Sequence, residues 1–243
     1  MENYRWRVRF AKREELRYIS HLDLYRTLTR ILRRAGIPLA YSHGYNPRLK
    51  ITLGPPLALG LTSEAEYFDL ELVKPVEETE LFSKLRVQLP KGMEIIEIHT
   101  LPPDSKSLLS GINVDEYLIF LYPENLNLKK REEIEIRIKN FLAAREIPVT
   151  RYSKTGVKIV DLKQFVLVLE IQEWVEKNYS LRLLLKIGPA GAIKPSEVLE
   201  ALFPESPSIY LAADIKRISL YLDIDGRRLN PMAICRGERL VIE

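Results

Sequence analysis

Cysteine is nearly absent from this chain of 243 residues: Cys235 is the only one. A lone thiol excludes an internal disulfide framework and any cysteine-built metal or iron–sulfur site, since those need at least two thiolates and usually three or four. Histidine is almost as sparse, and His21, His43 and His99 do not have metal-ligand spacing. The Walker loop, Gly-x-Gly-x-x-Gly, His-Glu-x-x-His and Gly-x-Ser-x-Gly are all missing, which leaves the common nucleotide, zinc-protease and hydrolase routes without sequence support. No uninterrupted run of about 18 apolar residues occurs. The opening Met1-Glu2-Asn3-Tyr4-Arg5-Trp6-Arg7 breaks its apolar residues with charges, where a secretory signal needs an unbroken apolar stretch. The expectation is a cytoplasmic protein with no membrane partner and no metal of its own.

What is present is apolar content and charge. With 46% hydrophobic residues the chain can bury a core in each of two domains. The net charge of +4 hides an asymmetry, because residues 1–60 hold 12 Lys/Arg against 4 Asp/Glu while residues 61–243 hold 25 against 29. Positive charge concentrated in one part of a chain is the footprint expected of a polyanion-binding surface, and also of a merely solvated basic face.

Periodicity divides the chain into elements. Tyr4, Trp6, Val8 and Phe10 alternate with Arg5, Arg7 and Arg9, the period of a half-buried strand whose outer face would be a row of arginines. Ser20 opens a helix with Asp23 as a capping partner, and Gly36 followed by Pro38 closes it. Apolar strand-like stretches follow at Pro38 to Tyr45 and Tyr67 to Val73, then a helix from Glu77 to Leu89 and a strand from Met93 to His99. The order βαββαβ is that of the ferredoxin-like split unit. Turn formers between Leu101 and Gly111 suggest a linker over 102–114. From residue 115 a comparable order resumes: a strand at Glu116 to Tyr122, a helix at Lys129 to Arg145, a long β section at Val149 to Gln172, a strand at Tyr179 to Ile187, a helix at Pro195 to Phe203 and a strand at Ile215 to Leu222. The fold class expected is α+β with two tandem ferredoxin-like units, a first domain over 1–101 and a second over 115–243.

The first helix carries the strongest signal. At 100° per residue, Leu24, Leu28, Ile31 and Ala35 fall in one stripe and Arg26, Arg30, Arg33 and Arg34 in the opposite one. Like charges along one face repel by a few tenths of a kcal/mol per pair, a cost that a phosphate backbone turns into attraction. His21 and Asp23 invite a general-base reading, but two helical positions differ by about 200°, so the two side chains diverge. Ser20 and Asp23 then read as a structural cap, with His21 a candidate acid–base group beside His43. Beyond the helix, the turn-rich Tyr41-Ser42-His43-Gly44-Tyr45-Asn46-Pro47-Arg48, continuing to Lys50, offers polar and aromatic side chains suited to holding a nucleotide. Arg151-Tyr152-Ser153-Lys154 is a candidate extension of a basic groove into the second domain.

Three stretches carry a family resemblance: Leu16-Arg17-Tyr18-Ile19-Ser20-His21-Leu22-Asp23-Leu24, Leu32-Arg33-Arg34-Ala35-Gly36-Ile37-Pro38-Leu39-Ala40-Tyr41-Ser42, and Gly44-Tyr45-Asn46-Pro47. Together with Leu57 to Gly60 and Ser63 to Asp69, they resemble the radical-SAM-linked protein family, specifically over residues 9 to 73. Members lie beside or are fused to a radical S-adenosylmethionine protein, so the resemblance implies that protein as partner. It places the iron–sulfur cluster and S-adenosylmethionine in the partner, with no cofactor in this chain. A second likeness is to the RAMP superfamily of ferredoxin-like RNA-binding proteins, which includes endoribonucleases. The glycine-rich loop of their C-terminal half has only a short echo here, in Gly188-Pro189-Ala190-Gly191. Three functions stay open on these grounds: a non-catalytic accessory subunit that binds RNA for the radical SAM partner, a metal-independent endoribonuclease using His21 or His43, and a protein-interaction module whose arginine face docks the partner.

Overall fold

A computed structural model describes residues 4–102, 105, 107–122, 131–153, 156–175, 178–188, 191–206 and 208–237. Lys129, Lys130, Lys154, Pro189 and Ala190, which entered the readings above, lie outside the described residues. The fold is α+β. In chain order it runs β1 (Tyr4–Lys12), α1 (His21–Arg34), β2 (Ile51–Leu53), β3 (Thr62–Leu72), α2 (Glu78–Arg86), β4 (Met93–Thr100), α3 (Leu108–Gly111) and β5 (Val114–Leu121). It continues with α4 (Arg131–Ala143), β6 (Pro148–Ser153), β7 (Gly156–Asp161), β8 (Val166–Val175), β9 (Asn178–Gly188) and β10 (Gly191–Ala192). Last come α5 (Pro195–Leu202), α6 (Ile209–Ala212), β11 (Asp214–Ile224), β12 (Arg227–Leu229) and α7 (Pro231–Cys235). Among the described residues, no helix is long and apolar enough to cross a membrane.

Contacts divide the chain into one unit of Met1–Asn113 with Ser219–Glu243, and a second of Val114–Ile218. This differs from the expected division in two ways. The segment from Ser219 returns to the first unit, and so does the described part of the stretch read as a linker over 102–114, up to Asn113: Leu108 and Ile112 are buried, and Asn113 exchanges backbone and side-chain hydrogen bonds with Tyr221 and Asp223. Turn-former composition marks where the chain bends, and here it bends inside a unit.

In the first unit, β1 pairs antiparallel with both β3 and β4, and β2 pairs antiparallel with β3, giving the order β4-β1-β3-β2. Alternation sends Trp6, Val8 and Phe10 of β1 and Phe68, Leu70 and Leu72 of β3 to one core, where Leu24, Leu28, Ile31 and Leu32 of α1 and Leu81 and Leu85 of α2 complete it. The opposite sheet face is not the exposed arginine row that the alternation suggests. Arg7 is 1% exposed, donates Nε and Nη2 to Asp69 at 2.8 and 2.9 Å, and donates Nη1 to the Pro231 carbonyl at 3.0 Å. Tyr67 Oη donates to Asn230 at 3.3 Å, and Arg236 pairs with Glu97 at 3.0 Å. The C-terminal segment thus lies over this face and buries Met232 and Ala233. Burial pushes the Tyr67 hydroxyl up to about 12.

The stretch from Pro38 to Tyr45 is not a strand. Leu39 and Tyr41 form single bridges to Leu72 and Leu49, and it is β2, within the Pro- and Gly-rich segment, that pairs with β3 in addition to β1. Proline 38 lacks an N–H, and the Glu71 backbone is satisfied from two sides, by Ala40 N and Lys50 O.

In the second unit, β9 lies between β5 and β8, with both pairings antiparallel. The long β section from Val149 resolves into a separate β6–β7 hairpin and then β8. Arg151 does not extend a basic groove, because its guanidinium donates two bonds of 2.6 Å to Glu197 of α5 and one of 2.9 Å to the Ala192 carbonyl. Glu116, Glu170 and Arg182 form a second ion-pair cluster, with Arg182 at 2.5 Å from the buried Glu116 and 2.9 Å from the exposed Glu170.

Candidate nucleic-acid interface

Helix α1 begins where the sequence supplies a cap. Ser20 is extended, accepts from Asp23 N at 3.1 Å and donates its hydroxyl to Asp23 Oδ2 at 2.7 Å. Asp23 Oδ1 accepts from Arg26 Nη1 at 3.0 Å. The Ser20 and Arg26 hydrogen bonds hold the Asp23 carboxyl below its ordinary range. Both carboxylate oxygens are therefore engaged by Ser20 and Arg26, and Asp23 makes no dyad with His21. His21 is exposed at the first turn. The helix ends at Gly36, whose φ of 63° lies in the left-handed region open to glycine.

Arg26, Arg30, Arg33 and Arg34 are all exposed, and Leu24, Leu28, Ile31 and Ala35 are buried on the other side. Beyond the Asp23–Arg26 pair, the row has no carboxylate partner among the described residues. Arg30 touches Thr27 Oγ1 at 3.5 Å, Arg34 donates to the Gln88 carbonyl at 3.1 Å, and the Arg33 side chain makes no hydrogen bond or ion pair among the described residues. From Arg26 to Arg34 the row extends about 12 Å along the axis at 1.5 Å per residue. Four cations against one anion, all in solvent, make a surface that gains by meeting phosphates.

The loop forms a second exposed element. Ser42 N donates to the Arg48 carbonyl at 2.8 Å and Arg48 N to Ser42 Oγ at 2.9 Å, closing a tip that presents His43, Gly44, Tyr45, Asn46 and Pro47 to solvent. Tyr45 is fully exposed, at 102%. Tyr41 and Arg48 are exposed too. Lys50 is committed to Glu71 at 3.0 Å beside a cavity of about 250 Å³ that Arg5, Thr52 and Asp69 also line. No hydrogen bond or ion pair joins the helix arginines to this loop among the described residues, nor His43 to any other side chain. The third histidine, His99, faces Glu78 at 3.1 Å. Charge and turn formers do not point to Tyr18, an exposed aromatic at the entry to α1; its place inside the Leu16 to Leu24 stretch is the one sequence signal for it.

A family model described as "Uncharacterized protein conserved in bacteria (DUF2344)" matches residues 5–195. No curated protein matches the chain. Among solved structures, a chain in the crystal structure of a Cbf5-Nop10-Gar1 complex is similar with a TM-score of 0.50 at 12% identity, over 90% of this chain and 50% of that one. A chain of an H/ACA RNP bound to a substrate RNA containing 2'-deoxyuridine gives a TM-score of 0.43 at 11% identity, over 87% and 46%. The archaeal box H/ACA sRNP Nop10-Cbf5 complex gives 0.42 at 12%, again over 87% and 46%. This chain spans about half the length of each of these three chains. At such identity the likeness to the first is one of fold.

Proposed function

We propose that this chain, which belongs to the DUF2344 family of bacterial proteins, is a non-catalytic RNA-binding subunit built from two ferredoxin-like units. RNA lies on the Arg26, Arg30, Arg33 and Arg34 face, with the Tyr41 to Lys50 loop as a second contact. The observation that carries this reading is the uncompensated row on α1: the charges of β1 are consumed internally by Asp69, Glu97 and the C-terminal segment, whereas those of α1 point outward with one carboxylate among them. Phosphate contacts of this kind supply affinity without sequence readout.

The resemblance of residues 9 to 73 to the radical-SAM-linked family supports a radical SAM enzyme as the partner to which the RNA is presented. The same resemblance assigns the iron–sulfur cluster and S-adenosylmethionine to that partner, which accords with the single cysteine of this chain. The test is a pull-down of the full chain from its own cells, with and without nuclease, scored for bound RNA and bound protein. RNA recovered by the wild type and lost from the Arg26→Ala/Arg30→Ala/Arg33→Ala/Arg34→Ala protein supports the reading. A radical SAM protein retained after nuclease but lost with the same four changes shows instead that the face docks protein.

A further inference from the structure

Tyr18 precedes α1 and is 75% exposed, yet the segment that carries it is held from every side. The Arg17 guanidinium donates Nε and Nη2 to the Gly60 carbonyl at 2.9 and 2.7 Å, and Nη1 to Glu14 at 2.8 Å. The Arg17 backbone is fixed as well, because its carbonyl accepts from Gly60 N at 2.8 Å and from Lys12 Nζ at 3.3 Å. So anchored, the guanidinium carbon lies 5.6 Å from the centre of the Tyr18 ring. Gly60 closes in on the same ring: a Cβ added there would sit 3.7 Å from Tyr18 Cε1. Ile19 N bonds the Leu16 carbonyl at 3.0 Å, and Ser20 starts the helix cap one residue on.

An exposed tyrosine on a loose segment would be unremarkable. This one has a fixed backbone and a fixed cation beside its ring, with three-quarters of its surface left to solvent at the N-terminal end of the arginine-bearing helix. A base stacking on it meets a platform that needs little ordering, which is where binding free energy is otherwise lost. Stacking on aromatic side chains is how proteins hold unpaired bases beside phosphate-binding cations, and a duplex offers no such free face.

We infer that Tyr18, held by Arg17 and Gly60, is a stacking site for an unpaired nucleobase, so that the RNA bound along α1 is single-stranded at the entry to that helix. The inference rests on the RNA-binding reading of α1 and adds the class of RNA to it.

The test is fluorescence anisotropy of the full chain with a labelled 15-nucleotide oligoadenylate RNA and with a 15-base-pair RNA duplex, across a salt series. Loss of one stacked base, about 1–3 kcal/mol, corresponds to about 5- to 150-fold in affinity. Tyr18→Ala is expected to weaken single-strand binding by that factor, with an unchanged salt slope and unchanged duplex binding, and Tyr18→Phe to stay within about threefold of wild type. The arginine row is probed separately by its four-fold alanine variant, which lowers the salt slope. Tyr18→Ala binding the single strand as tightly as wild type, while the arginine variant still loses affinity, overturns the stacking site and leaves the RNA-binding reading standing. Equal losses on single strand and duplex also overturn it. A wild-type chain that binds neither RNA removes both.

Discussion

Replacing Asp69 with alanine removes the carboxylate that accepts two hydrogen bonds from the buried Arg7 guanidinium. The two side chains are 2% and 9% exposed and share two hydrogen bonds, while the third guanidinium bond holds the Pro231 carbonyl. Forming such a pair is itself expensive, since burial pushes the Asp69 carboxyl upward against the bonds from Arg7 that pull it down. Breaking it costs more, about 3–5 kcal/mol, because one charge stays buried without its partner. At about 2–4 °C per kcal/mol for a chain of this size, Asp69→Ala should lower the melting temperature by about 6–20 °C. Removing both charges with Arg7→Met/Asp69→Leu leaves no stranded ion and should lose less than the single change. Circular dichroism melts and urea unfolding of wild type, singles and double read the cycle directly. Limited proteolysis adds a local readout, as the 230–237 segment should be cut sooner once Arg7 is disturbed. An Asp69→Ala protein melting within about 2 °C of wild type would show that the pair and its tie to the C-terminal segment do not hold the unit together.

Three further outcomes are expected. Ser20→Ala removes the α1 cap and should cost about 1 kcal/mol by urea unfolding, whereas Ser20→Thr, whose hydroxyl can still accept from Asp23 N and donate to the Asp23 carboxylate, should restore most of it; equal losses would show that the cap geometry is not stabilising. At Glu197, burial alone would raise the carboxyl, but the hydrogen bonds from Arg151 and Lys194 N win and hold it below 4.5. Its contribution is therefore fully present above that value and is lost as pH falls through the depressed folded-state pKa, so Glu197→Gln should flatten the acid side of the stability profile; a profile unchanged from wild type would refute the linkage. Because Arg151 is a third exposed, the pair should add only about 1 kcal/mol at neutral pH, and its loss should appear chiefly as faster amide exchange in the 148–161 hairpin.

The elements that sequence made legible are those with a local cause. Helix α1 needed only Ser20, a 3.6-residue apolar period and Gly36, and β9, α5 and β11 fall within a residue or two of the expected limits, for the same reason. The expectation at Pro38 to Tyr45 took apolar content for pairing, although a strand needs a partner edge, and β3 finds its partner at Ile51–Leu53. The arginines of β1 and α1 look alike as sequence. What separates them is distant in the chain: Asp69 and Pro231 reach Arg7, and among the described residues nothing comparable reaches Arg30 or Arg33. The return of the C-terminal segment to the first unit has no local signal, since the bond that marks it joins Arg7 to the Pro231 carbonyl across most of the chain. Tyr18 was visible as a letter; its fixed setting depends on Gly60, more than forty residues away in sequence.

The central claim is that the α1 row binds RNA phosphates. Its most direct measure is the salt dependence of single-stranded RNA affinity for the wild type and for the variant with Arg26, Arg30, Arg33 and Arg34 all changed to alanine. With about 0.7 counterion released per phosphate neutralised on a single strand, loss of four contacts should reduce the slope of log affinity against log salt by about 3. A wild-type slope and affinity retained in that variant would contradict the account.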